Sequence, residues 1–320
     1  MSMLDTLLLV SLSTVLLTGL GQRVSFIGWI ATLLMTAQLL TLLIMGSLGY
    51  GATAIDASFG FTILGQPLSW RFDGLSWFFA LITIGSALAG SAFAAGAWGD
   101  QYRKEGGNPG LLQFSIALNV LAMLLLLASG DLLSLFIGWE LVSWASLLLM
   151  VIAGGRASEF GMRYIVYATA GAMAVLAGLA IIFQLSGSFE YSDLAAIAPA
   201  MTTLQIVTLT LLFFFGFGIK MGLLPFHLWQ ADAYAETPGP GTAFLGAISS
   251  RMGLYAILVV LIQLIGLIRL IEIDIPYSFL SLRDVLMWVA AVSIIIPTFI
   301  ALRQSDARRL LAWHGIGQGG

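Results

Sequence analysis

Residues 203–236 have the sequence TLQIVTLTLLFFFGFGIKMGLLPFHLWQADAYAE. This apolar run is much longer than the roughly 20 residues that a helix needs to cross a bilayer. It contains Pro225, which removes a helix hydrogen bond and clashes with the preceding turn. We therefore predict a helix that is broken at membrane depth. Such breaks occur where backbone lines a cavity or is enclosed by protein, and a simple proline kink is the alternative.

The composition of the whole chain predicts the same environment. Of the 320 residues, 59% are hydrophobic and 9% are charged, and the mean hydropathy is +1.00. A soluble domain carries about 25% charged residues, so this chain has too much apolar surface for water and suits a bilayer. A net charge of −3 with no basic run excludes a nucleic-acid partner.

Apolar runs along the chain predict an all-α fold, a polytopic transmembrane helix bundle. The N-terminal run lacks a basic leader and carries Asp5, so we expect it to remain as the first span. The predicted spans are 4–20, 24–49, 74–98, 110–130, 132–153, 162–186, 203–236, 241–270 and 285–302. A tenth helix begins near residue 307, and we expect the chain to be the N-terminal part of a longer protein.

The distribution of basic residues between the loops predicts the orientation. With the N-terminus outside, the inside loops hold Arg23, Arg103, Lys104, Arg156, Arg163, Arg303, Arg308 and Arg309. The outside loops hold Arg71, Arg269 and Arg283. The excess on the inside predicts a periplasmic N-terminus in an inner (cytoplasmic) membrane.

Three ionisable residues, Glu140, Lys220 and Arg251, lie near the middle of predicted spans. A charge at that depth costs about 2.5–3.5 kcal/mol on insertion scales. Glu140 and Lys220 have opposite signs, so pairing would offset part of this cost. Burial lowers the pKa of a lysine and a nearby carboxylate raises it. A lysine between these two effects can change its protonation when its partner moves. A structural ion pair between helices is the alternative.

Four further residues could extend a proton path. His227 follows Lys220 by seven residues, so both could share one face if the helix continued, and histidine titrates near neutral pH. Asp232 and Glu236 come next and could be entry-point carboxylates or a solvated helix end. His314, which precedes several glycines in the tenth helix, is a secondary candidate.

Three segments carry a resemblance to a known family. They are GDLLSLFIGWELVSWASLLL, GIKMGLLPFHLWQADAYAETPGPGTAFLGAISSRMGLYAIL and DARRLLAWHGIGQGG. They resemble the antiporter-like proton-pumping subunits of respiratory complex I, of energy-converting hydrogenases and of Mrp-type antiporters. The resemblance implies inverted five-helix repeats: three leading helices in 1–109, a first repeat in 110–270 and the start of a truncated second repeat in 271–320.

The same resemblance implies roles for three residues. The family's helix-five glutamate corresponds to Glu140 and its helix-seven lysine, which also lies in a broken helix, to Lys220. The helix-eight lysine or histidine corresponds to Arg251, which is a departure. Arginine effectively never loses its proton, so Arg251 should be a fixed charge that tunes its neighbours.

The resemblance implies proton translocation, with Na+/H+ exchange as an alternative, in a redox-driven complex. The expected partners are other membrane subunits and the lipid bilayer, with quinone only through neighbouring subunits. The chain has no cysteine, so we expect it to bind no cofactor or metal, and any redox chemistry belongs to another subunit. A standalone Mrp-type antiporter subunit, a non-conducting scaffold and a membrane-embedded transferase are the alternatives.

Overall fold

The structure is a computed structural model that describes residues 2–49, 54–63, 65–276 and 279–320. Nine helical segments in these ranges are long and apolar enough to cross a membrane, which confirms the predicted bundle. The first eight helices are α1 Met3–Leu20, α2 Ile27–Ser47, α3 Gly74–Ala95, α4 Ala97–Lys104, α5 Pro109–Leu127, α6 Leu132–Val151, α7 Arg156–Ser186 and α8 Tyr191–Ile197. The others are α9 Thr203–Met221, α10 Gln230–Glu236, α11 Gly239–Phe244, α12 Arg251–Ile257, α13 Leu267–Glu272, α14 Leu282–Ala301 and α15 Ala307–Gly317.

Several predicted spans need correction at their ends. The span predicted for 162–186 begins earlier, in a helix over Arg156–Ser186, and the span predicted for 74–98 ends at Ala95. The span predicted for 24–49 is a helix over Ile27–Ser47. The span predicted for 241–270 runs over Gly239–Gln263, with π-helical turns at Leu245–Ser249 and Leu258–Gly266. The second π-helical turn ends at Gly266, whose φ of 101° directs the chain into the short α13. Apolar composition continues past this turn, so hydropathy alone could not locate it.

The long segment 203–236 is broken, as predicted. α9 ends at Gly222, whose φ of 70° is a conformation that glycine adopts without strain. A 3₁₀ turn over Phe226–Trp229 then leads into α10. The backbone N–H of Leu224 inside the break donates to Ser293 Oγ of α14 at 3.0 Å, so a neighbouring helix satisfies a group that the break releases.

Close packing of α7 against α9 depends on glycines. A Cβ atom on Gly216 would lie 2.5 Å from Val175 Cγ2 and 2.8 Å from the carbonyl oxygen of Gly171. Small residues of this kind let membrane helices approach closely, where dispersion replaces the missing hydrophobic driving force. The two helices that carry the residues of the candidate site are therefore held at a fixed short separation.

The core centres on α5, of which 72% is buried, whereas only 17% of the α14 span is buried. α5 packs against α1, α3 and α6. The described part of the loop between α2 and α3 forms four short strands in two antiparallel pairs, β1 with β4 and β2 with β3. The strands are β1 Ile55–Asp56, β2 Phe61–Ile63, β3 Gln66–Leu68 and β4 Arg71–Phe72.

The loop that carries these strands is tied to the start of α6. Asp131 caps α6 by accepting the Ser134 N–H at 2.7 Å. The same carboxylate accepts the backbone N–H of Ser69 at 2.6 Å and its hydroxyl at 3.0 Å. A second tie joins α12 to α5, because the Tyr255 hydroxyl donates to the Leu127 carbonyl at 2.9 Å. These bonds tie the strand-bearing loop to α6 and tie α12 to α5.

Candidate functional site

Lys220 lies in the last turn of α9, immediately before the break, and is 2% exposed. Its Nζ donates to the hydroxyl of Tyr164 on α7 at 2.6 Å and to Ser146 Oγ on α6 at 3.4 Å. Nζ is 2.6 Å from the Tyr164 hydroxyl but 5.0 Å from the centre of the ring. It therefore lies at the hydroxyl end of the ring and not over the ring face. Two neutral hydroxyls therefore hold this ammonium group.

The hydrogen bonds continue into α5. Ser146 Oγ donates to Asn119 Oδ1 at 3.0 Å. The Asn119 amide donates to the carbonyl oxygens of Ser115 at 2.9 Å and Ala145 at 2.8 Å. Asn119 and Ser146 are fully buried. Because every link in this chain is satisfied, it gives a rigid polar support for the lysine inside an apolar bundle.

Glu140 lies half-buried on α6, and its buried Oε1 atom has no hydrogen-bond partner among the residues that the structure describes. A direct ion pair with Lys220 was one expectation, and the structure does not contain it. Among the described residues, none of the ion pairs within 4.0 Å includes either group. The two charges are still close enough to interact electrostatically. In this structure Glu140 and Lys220 are therefore near each other but not in direct contact.

A small cavity of about 10 Å³ adjoins Lys220, which is room for about one water molecule. Its walls come from α6, α7 and α9, and they include Trp139, Ser143 and Tyr164. The cavity has polar groups on several sides, so a water molecule there would find hydrogen-bond partners.

His227 is not on a common face with Lys220, because α9 ends before it. The histidine lies in the 3₁₀ turn after the break, with its ring 5.4 Å from the Trp313 ring of α15. Its Nδ1 is buried without a hydrogen-bond partner in the described part of the chain. The helix does not continue, so the condition under which the two residues would share one face is not met, and His227 instead faces α15.

Arg251 follows the π-helical turn Leu245–Ser249 at the start of α12. Its guanidinium donates to Ser250 Oγ at 2.6 Å and to Gln318 Oε1 at 2.6 Å. The Gln318 amide lies 3.0 Å from His314 Nε2. Arg251 and His314 are therefore brought together through Gln318. A cavity of about 430 Å³ lies beside this group, lined in part by Tyr234 and His314.

Asp232 and Glu236 lie at the edge of the bundle. Asp232 is 3.4 Å from Arg309, and Glu236 is 3.7 Å from Arg156. The side chains of Asp232 and Glu236 are 34% and 28% exposed, and their arginine partners are at least as exposed. Both arginines belong to the loops that were predicted to face inside. The structure places these carboxylates apart from Lys220, at the ends of helices near that face.

Sequence reasoning missed Tyr164, Ser146, Asn119 and Gln318. Asn119 carried a usable signal, because it is an amide within a nearly unbroken apolar run of α5. Tyr164 and Ser146 carried little, since hydroxyl residues in membrane helices commonly bond to their own backbone.

A bundle of membrane-spanning helices with an enclosed lysine at a helix break defines a polytopic membrane protein with a buried cationic site. Residues 129–320 match the sequence profile of the family described as NADH:quinone oxidoreductase/Mrp antiporter, transmembrane. Because this match covers more than half of the 320 residues, the chain belongs to that family.

Curated relatives agree with this assignment. NADH-quinone oxidoreductase subunit N of Desulforudis audaxviator is 34% identical over 194 residues, which are 60% of this chain and 37% of the relative. The same subunit of Trichlorobacter lovleyi is 28% identical over 316 residues, 96% of this chain and 61% of the relative. The chain therefore spans less than two thirds of the length of these relatives.

Solved structures share the fold along almost the whole chain. A chain of an archaeal membrane-bound sulfane sulfur reductase superimposes with a TM-score of 0.84 at 22% identity, covering 99% of this chain and 50% of that one. A chain of the Mrp complex from Dietzia gives 0.79 at 19% identity, covering 99% and 33%. A chain of respiratory complex I from Thermus thermophilus gives 0.71 at 22% identity, covering 99% and 62%.

Proposed function

We propose that this chain moves protons across an energy-transducing membrane as an antiporter-like subunit of a redox-driven NADH:quinone oxidoreductase or hydrogenase complex. The observation that carries the proposal is the enclosed Lys220 beside a helix break, with Glu140 electrostatically coupled to it and unpaired. An unpaired charge at this depth is costly and is a mark of an ion or proton pathway. The family membership supports the same conclusion.

In this proposal the side chains of Glu140 and Lys220 alternate between an arrangement in which they form an ion pair and one in which they are apart. When a neighbouring subunit displaces Glu140, the lysine loses a stabilising charge and releases its proton. Arg251 contributes a fixed positive charge on the release side, and His314 and Gln318 extend the polar region there. His227 borders the break, and Asp232 and Glu236 lie where protons would enter from the inside.

The proposed setting is a bacterial inner membrane, with the N-terminus in the periplasm and other membrane subunits as partners. Quinone would act only through neighbouring subunits. Residues 1–109 would form the leading helices, 110–270 one complete five-helix repeat, and 271–320 the start of a second. The excess of basic residues in the loops at one face supports this orientation.

One observation favours a second function, a non-conducting membrane scaffold. Arg251 stands where the family resemblance predicts a titratable residue, and a fixed charge cannot relay a proton. A scaffold would keep the helix packing and the ion pairs at the bundle edge but would not need Lys220 to change its protonation.

A vesicle experiment separates these functions. The full-length protein in its assembled complex is placed in sealed vesicles, and oxidation of an electron donor is followed together with internal pH, with and without Na+. We expect donor oxidation alone to drive proton uptake without Na+. Proton movement that needs a Na+ gradient and no donor would favour standalone antiport, and oxidation without any proton movement would favour the scaffold.

A further inference from the structure

Tyr164 is the nearest polar partner of Lys220, and its role lies outside the charge pair described above. The side chain is fully buried, and its hydroxyl oxygen is 2.6 Å from the lysine Nζ. The same hydroxyl donates to the Ser143 carbonyl oxygen at a longer 3.3 Å. The phenol is held in place by its ring, which packs 4.6 Å from the ring of Trp229. Tyr164 is therefore an acceptor that packing holds in place beside the ammonium group.

The Lys220 ammonium group has more hydrogen-bond donors than the two hydroxyls use. It has three N–H donors, of which the structure directs one to Tyr164 and one to Ser146. Glu140 Oε1 meanwhile is buried and has no partner. An unsatisfied buried acceptor is unfavourable, so Glu140 would gain from a bond to the third N–H. No ion pair within 4.0 Å joins the two groups in the described part of the chain, because Nζ lies at the two hydroxyls and out of reach of the carboxylate.

The titratable groups that act on Lys220 come from two helices. Glu140 acts from α6 and Tyr164 from α7, while Tyr234 on α10 acts on Tyr164. α12, which also packs against α9, presents Gly253 to it at Phe217 and Met221. The balance between Glu140 and the hydroxyls is thus set within a small group of side chains.

We propose that Tyr164, assisted by Ser146, is a positioning residue that holds the Lys220 ammonium away from Glu140 in the separated half of each cycle. This inference rests on the proposed function. Without the phenol hydroxyl, the ammonium group moves toward Glu140 and stays there. A lysine beside a carboxylate keeps its proton to higher pH, so release becomes slow.

The test compares Tyr164→Phe with Tyr255→Phe in the assembled complex in sealed vesicles. Both changes remove a buried hydroxyl that donates to a backbone carbonyl, but only Tyr164 contacts Lys220. For Tyr164→Phe we expect slower proton translocation, with the alkaline limb of its pH profile moved up by about one unit. A shift of about that size is expected when the ammonium group exchanges a neutral hydroxyl acceptor for a charged carboxylate. Tyr255→Phe should keep the original profile.

Ser146→Ala gives a second, milder variant, because it removes the 3.4 Å bond and leaves the phenol in place. A smaller shift in the same direction is expected, and this variant decides the matter if Tyr164→Phe does not assemble. Profiles that coincide with that of Tyr255→Phe would overturn the inference. Lys220→Ala in the same vesicles distinguishes failure of this inference from failure of the proposed function. Unaltered translocation in that variant contradicts the proposed function itself.

Discussion

At the scale of single residues, the site is organised by hydroxyl and amide groups around charges. Lys220 is bonded to Tyr164 and Ser146, and Arg251 to Ser250 and Gln318. Neutral hydroxyl acceptors satisfy the N–H donors of Lys220 but stabilise its charged form less than a carboxylate would. Such partners are compatible with a lysine that changes its protonation. The arginine always keeps its charge, so the two cations have different chemistry despite similar surroundings.

Arg251 gives a prediction at this scale. Arg251→Met removes the fixed charge and should slow proton translocation about tenfold, the factor that about 1.4 kcal/mol of lost stabilisation produces. Arg251→Lys keeps a positive charge and should retain most of the rate, although it cannot reproduce both bonds of the guanidinium. Translocation rates per assembled complex in vesicles measure both. Equal, unaltered rates in both variants would mean that Arg251 is only a structural tie.

A site residue could be predicted from the sequence only where it departs from the apolar pattern of its own helix. The break near Pro225 and the buried charges Glu140 and Lys220 are visible in the sequence, because each violates the uniform apolar pattern of a span. The partners of Lys220 are not visible, since they depend on which faces of α6, α7 and α9 meet. The Thr83 hydroxyl, for example, donates to the Phe79 carbonyl of its own helix at 2.8 Å, and sequence does not distinguish it from Ser146.

At the scale of helices, the site depends on how α7 and α9 pack. Tyr164 lies on α7 and Lys220 on α9, so the 2.6 Å bond between them requires a fixed spacing. The Gly171 and Gly216 backbones approach each other at this interface. The same close contact that stabilises the bundle also sets the geometry of the lysine.

Gly216→Ala tests the spacing. The added methyl group would clash with the Gly171 carbonyl and Val175, and overpacking of this kind costs about 1–3 kcal/mol. We expect a lower melting temperature of the purified complex or protein. Gly85→Ala is the matched control, because a Cβ there meets nothing within 4 Å. Equal melting temperatures for the two variants would show that the α7 and α9 backbones are not tightly packed.

At the scale of the whole molecule, the fold was largely predictable, because the bilayer requires long apolar helices with their backbones satisfied internally. The features of the fold that were not predicted lie within stretches of uniformly apolar sequence. The turn at Gly266 and the π-helical turns beside Arg251 fall inside apolar sequence. Their position depends on packing between helices, which periodicity does not encode.

Orientation can be tested directly, because the chain contains no cysteine. Ser192 on α8 and Ser305 between α14 and α15 are both exposed, and the topology places them on opposite faces. With a membrane-impermeant maleimide on intact cells, Ser192→Cys should be labelled and Ser305→Cys should be labelled only after permeabilisation. The reverse pattern would invert the proposed orientation.

Proton translocation by Lys220→Ala is the most direct test of the central claim, which is that this chain moves protons through the coupled Glu140 and Lys220. The control is Lys104→Ala, which removes the other lysine of the chain from an exposed position at the end of α4. Equal amounts of assembled complex in sealed vesicles are compared by donor-driven internal pH change. We expect Lys220→Ala, and likewise Glu140→Ala, to lose most translocation while Lys104→Ala keeps it. Translocation at the control rate in Lys220→Ala would contradict the account.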